Sequence, residues 1–144
     1  MIPKKYNTLA IQCITFLLIL LWTYTALSKW SEPTAFRFSL YRQPFSTSFS
    51  DFIFWVLPLS ELTAATLLVF TATRPLGFYL STLLLTVFTI YIVIALLGVF
   101  EKVPCSCGGV LKSLGWKQHL LFNLVFFALS TYASLVVYQQ KNRI

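Results

Sequence analysis

Charge is scarce in this sequence: 10% of its 144 residues are Asp, Glu, Lys or Arg, against 58% hydrophobic. A soluble domain of this length carries roughly a quarter of its residues as charges, so the deficit excludes an ordinary water-facing surface and makes lipid the solvent. Acidic groups are scarcer still, 4 against 11 Lys and Arg. The basic residues sit at the chain ends and between apolar stretches, where they meet anionic headgroups and set topology; nothing in their placement argues for nucleic acid. Turn residues are infrequent and strand-like alternation is missing, which excludes a transmembrane barrel.

Four long apolar stretches remain, over roughly 8–28, 52–72, 76–100 and 118–140. Each can cross a bilayer as a helix, a task needing about 20 residues. The expected fold is therefore all-α: one transmembrane four-helix bundle over residues 1–144, with a short interfacial segment between the first and second helices. Lys4 and Lys5 precede the first stretch and Ala26-Leu27-Ser28 resembles a cleavage site. The stretch exceeds the roughly 7–15 residues of a signal h-region, however, and reads as a retained helix.

An even number of crossings puts both termini and the turn at Thr73-Arg74-Pro75 on one side, and the two long connections, 29–51 and 101–117, on the other. The first side carries Lys4, Lys5, Arg74, Lys141 and Arg143 with no acidic neighbour and is read as cytoplasmic. The long-loop side carries Lys29, Arg37, Arg42, Lys102, Lys112 and Lys117, with Trp30, Trp55 and Trp116 as interfacial anchors at helix ends. From Pro33 to Phe49, aromatic residues alternate with Arg37 and Arg42, a composition suited to lying along the membrane surface, with Pro33 and Pro44 bracketing any helix.

Polar residues recur at helical spacing in three spans: Thr8, Gln12 and Thr15; Thr82, Thr86 and Thr89; His119, Asn123, Ser130 and Ser134. These stripes are expected to face one another and hold the helices together. Glu61 is the charged residue well inside a span, with Ala64 and Ala65 on its face and Pro58 one turn earlier. Inserting a central acidic residue costs on the order of 3 kcal/mol, so it calls either for a hydrogen-bonding partner on a threonine stripe or for a proton-handling role. Cys13, near the inner end of the first helix, is expected to be a buried small hydrophobe.

The most specific local feature is Pro104-Cys105-Ser106-Cys107-Gly108-Gly109. A disulfide across one intervening residue closes a small, strained ring, easier to reduce than a Cys-x-x-Cys ring and a poor staple. Lys102, Lys112, Lys117 and His119 are positive or ionisable neighbours that favour the thiolate. Three readings stand: redox exchange, a structural disulfide, and a metal site of Cys105, Cys107 and His119, which lacks an evident fourth ligand. His119 with Asn123 serves either as interhelical glue or as acid and base beside the thiols.

In this setting the chain resembles the MauE/DoxX family of redox-associated membrane proteins. The resemblance rests on Leu27-Ser28-Lys29, the stretch from Phe36 to Tyr41, Pro58-Leu59-Ser60-Glu61 and the Cys-Ser-Cys-Gly element, with Gly115 to Asn123 similar to the Bacteroidetes-type branch. Gly109 departs from the family, which often has Phe there. The resemblance implies a bacterial inner-membrane protein, Cys105 and Cys107 periplasmic, that makes or maintains disulfides in exported proteins beside a thioredoxin-like partner. It carries the cysteine motif onto Cys105 and Cys107 and a second-helix carboxylate onto Glu61. No cofactor is evident; a quinone can serve as electron sink, though no residue requires one, and methylamine metabolism does not follow. The rival expectation is a non-enzymatic assembly subunit of a larger membrane complex.

Overall fold

A computed structural model describes residues 4–97 and 115–143. Among them are five helices and no strand: α1 (Lys4–Ser31), α2 (Pro33–Tyr41), α3 (Thr47–Val69), α4 (Arg74–Leu96) and α5 (Trp116–Asn142). All but α2 are long and apolar enough to cross a membrane.

The boundaries follow local chemistry. Pro33 opens α2, where its missing N–H is no loss. Ser46 caps α3 by accepting the Phe49 N–H at 3.2 Å, so α3 starts at Thr47 rather than at 52 and Trp55 lies two turns inside it instead of at its end. At the other end α3 stops at Val69, short of 72. There the side chains of α4's first residues take over its last carbonyls: Thr73 Oγ1 donates to Leu67 O at 2.9 Å and Arg74 Nε to Leu68 O at 3.0 Å. Arg74, counted in the sequence as a topological charge, is also the cap of a neighbouring helix. Gln118 Oε1 accepts the Gly115 N–H at 2.8 Å at the start of α5.

The helices pack as α1 along α3, α3 along α4 and α4 along α5, with α1 also touching α5. Leu18, Leu21 and Trp22 of α1, Ala64, Ala65 and Leu68 of α3, Phe78 and Leu85 of α4 and Ala133 of α5 form the core. Small residues let backbones approach, and Gly77 marks the closest approach: a Cβ there would lie 2.8 Å from the Leu68 side chain and 2.9 Å from its backbone nitrogen. Large apolar side chains such as Phe16, Leu83, Val87 and Leu121 point outward, as suits a bundle whose solvent is lipid. Cys13 is among the exposed residues, which corrects the expectation of burial: it lies on the outer face of α1.

The interfacial segment is helical from Pro33 to Tyr41 and ends before Pro44. Phe36 and Leu40, four apart and therefore on one face, are buried against Phe54, with Ile53 and Leu57 beside them. The Phe36 and Phe54 rings stack at 5.6 Å. Phe38 and Tyr41 are left on the exposed side. Tyr91 of α4 donates to Gln43 Oε1, fastening the end of this segment to the C-terminal half of α4.

Candidate functional site

Glu61 is paired with Lys29, and the threonine whose side chain it also meets is Thr25 of α1, outside the stripes. Lys29 Nζ lies 3.0 Å from Oε1 and 3.2 Å from Oε2, with side chains 3% and 1% exposed. The ammonium's third contact is Thr25 O at 3.3 Å, and it lies 5.9 Å from the centre of the Phe36 ring. An apolar stretch ending at 28 leaves Lys29 in the following loop. In the structure α1 runs one turn further, which turns Lys29 inward and places it at the helix C-terminus, where a cation complements the dipole. Sequence held one signal for this: a carboxylate deep in a span requires a cation, and Lys29 is the basic residue at the end of the preceding span. Ala64 and Ala65 are buried on the same face as expected, letting α1 approach α3.

Of the polar stripes, those of α4 and α5 meet. Thr82 Oγ1 lies 2.7 Å from Ser130 Oγ and 3.3 Å from Ser134 Oγ, and Ser130 also donates to Phe78 O at 3.2 Å. The stripe of α1 does not join them as a unit: Thr15 is buried and donates to its own helix at Ile11 O, while Thr8 and Gln12 are exposed. Its place is taken by Trp22, which the sequence reading passed over. Trp22 is 1% exposed and donates from Nε1 to Ser81 Oγ at 2.9 Å, joining α1 to α4.

Seven residues along from the Thr82–Ser130 contact, Thr89 Oγ1 on α4 and Asn123 Nδ2 on α5 are buried without a hydrogen-bond partner among the described residues. His119, one turn before Asn123, is buried as well. Because α4 and α5 run antiparallel, Leu97 and Gly115 close the same end of the bundle, the end toward which His119 lies. Cys105 and Cys107 stand between them in the chain and lie outside the described residues, as does most of the Cys105, Cys107, His119 set weighed for a metal. Of the sequence candidates, Glu61 and His119 are thus both buried, on α3 and α5, with Glu61 neutralised from α1.

At the interfacial helix, Tyr41 donates to Asp51 Oδ1 at 2.6 Å, tying α2 to the first turns of α3. That bond, with some burial and the nearby negative charge, raises the Tyr41 phenol above its ordinary value; Arg37 opposes the shift.

Neither a curated protein nor a solved structure matches this chain. A family model does match, that of methylamine utilisation protein MauE, over residues 7–138. That span takes in all four membrane helices, the buried Lys29–Glu61 pair and the cysteine motif, and the chain belongs to the MauE family.

Proposed function

We propose that this protein is a membrane thiol–disulfide exchange protein whose working groups are Cys105 and Cys107. The observation that carries the reading is the Cys-Ser-Cys-Gly motif in the segment joining α4 to α5, in a chain of the MauE family. Two thiols one residue apart favour reversible pairing over stapling. The flanking Lys102 and Lys112 favour the thiolate.

In the proposed cycle a thiolate of an exported protein attacks one sulfur of the Cys105–Cys107 disulfide, forming a mixed disulfide and releasing the other cysteine as thiolate. The substrate's second thiolate then displaces the bound cysteine. The substrate leaves as a disulfide, and Cys105 and Cys107, now a dithiol after protonation, hold the two electrons. A periplasmic thioredoxin-like protein in its disulfide form removes them by the same exchange. This assigns the protein to a bacterial inner membrane with its termini cytoplasmic and the motif periplasmic. Glu61 is given a structural part, as the partner of Lys29, and His119, buried near the start of α5, is the candidate acid–base group.

The test is alkylation of native membranes with a membrane-impermeant maleimide, before and after mild reduction. Labelling of Cys105 and Cys107 only after reduction is expected, as is capture of a mixed disulfide in Cys105→Ser or Cys107→Ser. A double Cys-to-Ser variant that retains full function and co-purifies stoichiometrically with a partner complex would replace exchange with an assembly role.

A further inference from the structure

Between α2 and the outer turns of α3 lies a cleft of about 500 Å³, lined by Pro33, Thr34, Arg37, Phe38, Tyr41, Phe54 and Trp55. Its walls are aromatic and its one charged lining residue is cationic. Arg37 lies over Phe54, 4.3 Å from guanidinium carbon to ring centre, and its Nε is buried without a hydrogen-bond partner among the described residues. A second guanidinium, Arg42, stands 5.7 Å from the ring of Phe38, one of the lining residues. Of the carboxylates on these two elements, Asp51 is engaged by the Tyr41 hydroxyl, and Glu32 is the N-cap residue of α2, beside Pro33. Phe38 and Trp55 are more than half exposed, 62% and 58%, so the cleft is open along that side.

We propose that this cleft binds one anionic phospholipid, its phosphate on Arg37 and Arg42 and an acyl chain along Phe54 and Trp55. Charge complementarity selects the occupant: two guanidiniums offer forked donors to phosphate oxygens, and the aromatic wall suits a hydrocarbon chain rather than a polar peptide. Stacking on Phe54 holds the Arg37 plane in place, so little rotamer freedom is lost on binding. The lipid thereby becomes the outer wall of the α2–α3 joint, completing the seat of a helix that is otherwise buried only through Phe36 and Leu40.

The full chain, purified in detergent with equal phosphatidylglycerol and phosphatidylcholine, should retain one phosphatidylglycerol per protein in native mass spectrometry. Arg37→Gln should lower that retention about tenfold, the scale of a lost charge-assisted contact. Thr34→Trp, which fills the cleft and keeps both arginines, should lower it as well, while Lys117→Gln, remote on α5, should leave it unchanged. Equal losses in Arg37→Gln and Lys117→Gln with none in Thr34→Trp would mean diffuse headgroup attraction and overturn the site. Displacement of the lipid by inorganic phosphate would make it an anion site instead, and retention of phosphatidylcholine in its place would remove the charge argument.

Discussion

The Lys29 ammonium sits between both oxygens of the Glu61 carboxylate, at 3.0 and 3.2 Å, and joins two helices across 32 residues of chain. Both charges are withdrawn from water and lipid alike, so each is tolerable because of the other. A desolvated pair of this kind contributes little net stability compared with apolar replacements, yet losing one partner strands the other.

Glu61→Leu and Lys29→Met should therefore each destabilise the bundle by about 3–5 kcal/mol, whereas the two together should recover most of that loss. Unfolding in mixed micelles, taken around the full double-mutant cycle, measures the coupling. Strictly additive losses would show that the two charges act independently.

Gly77→Ala should cost about 1–3 kcal/mol, because the added methyl meets Leu68 at under 3 Å. Trimming the neighbour with Leu68→Ala should rescue only part of it, since the Leu68 backbone nitrogen, also 2.9 Å from the new Cβ, cannot retreat. Complete rescue by the second substitution would place the conflict in side chains alone. The same unfolding assay decides.

Tyr41 supplies a pH test. Its phenol donates to Asp51, so deprotonation replaces a hydrogen bond with repulsion and the folded pKa is raised above 10.0. For a raised pKa the contact contributes fully below the unfolded value, near pH 10, and is lost as pH climbs through the higher folded one. Tyrosinate absorbance should show a component titrating above 10 that disappears in Tyr41→Phe and moves down in Asp51→Asn. An unchanged titration in Asp51→Asn would remove the bond as the cause.

What sequence made legible was whatever depends on composition alone. Four apolar stretches gave the four spanning helices, and helical spacing brought Thr82 to Ser130 and Ser134. Errors arose where a helix end decides a side chain's surroundings. A first span ending three residues early sends Lys29 to the loop, and a second span starting late puts Trp55 at a helix end. Hydropathy windows blur such ends, because a lysine on the last turn scores like one beyond it. Trp22 escaped notice for a related reason: a tryptophan in an apolar run looks like lipid-facing bulk until its Nε1 is seen to reach Ser81. Cys13 erred the other way, since an apolar residue in a span can face lipid as readily as core.

The buried pair also bears on how the protein is built. Lys29 belongs to a helix made before α3, and until α3 arrives its long stem can carry the ammonium out to the headgroups. Glu61 is short and sits well inside its helix, with no comparable reach. Synthesis order thus makes the counter-charge before the carboxylate that needs it.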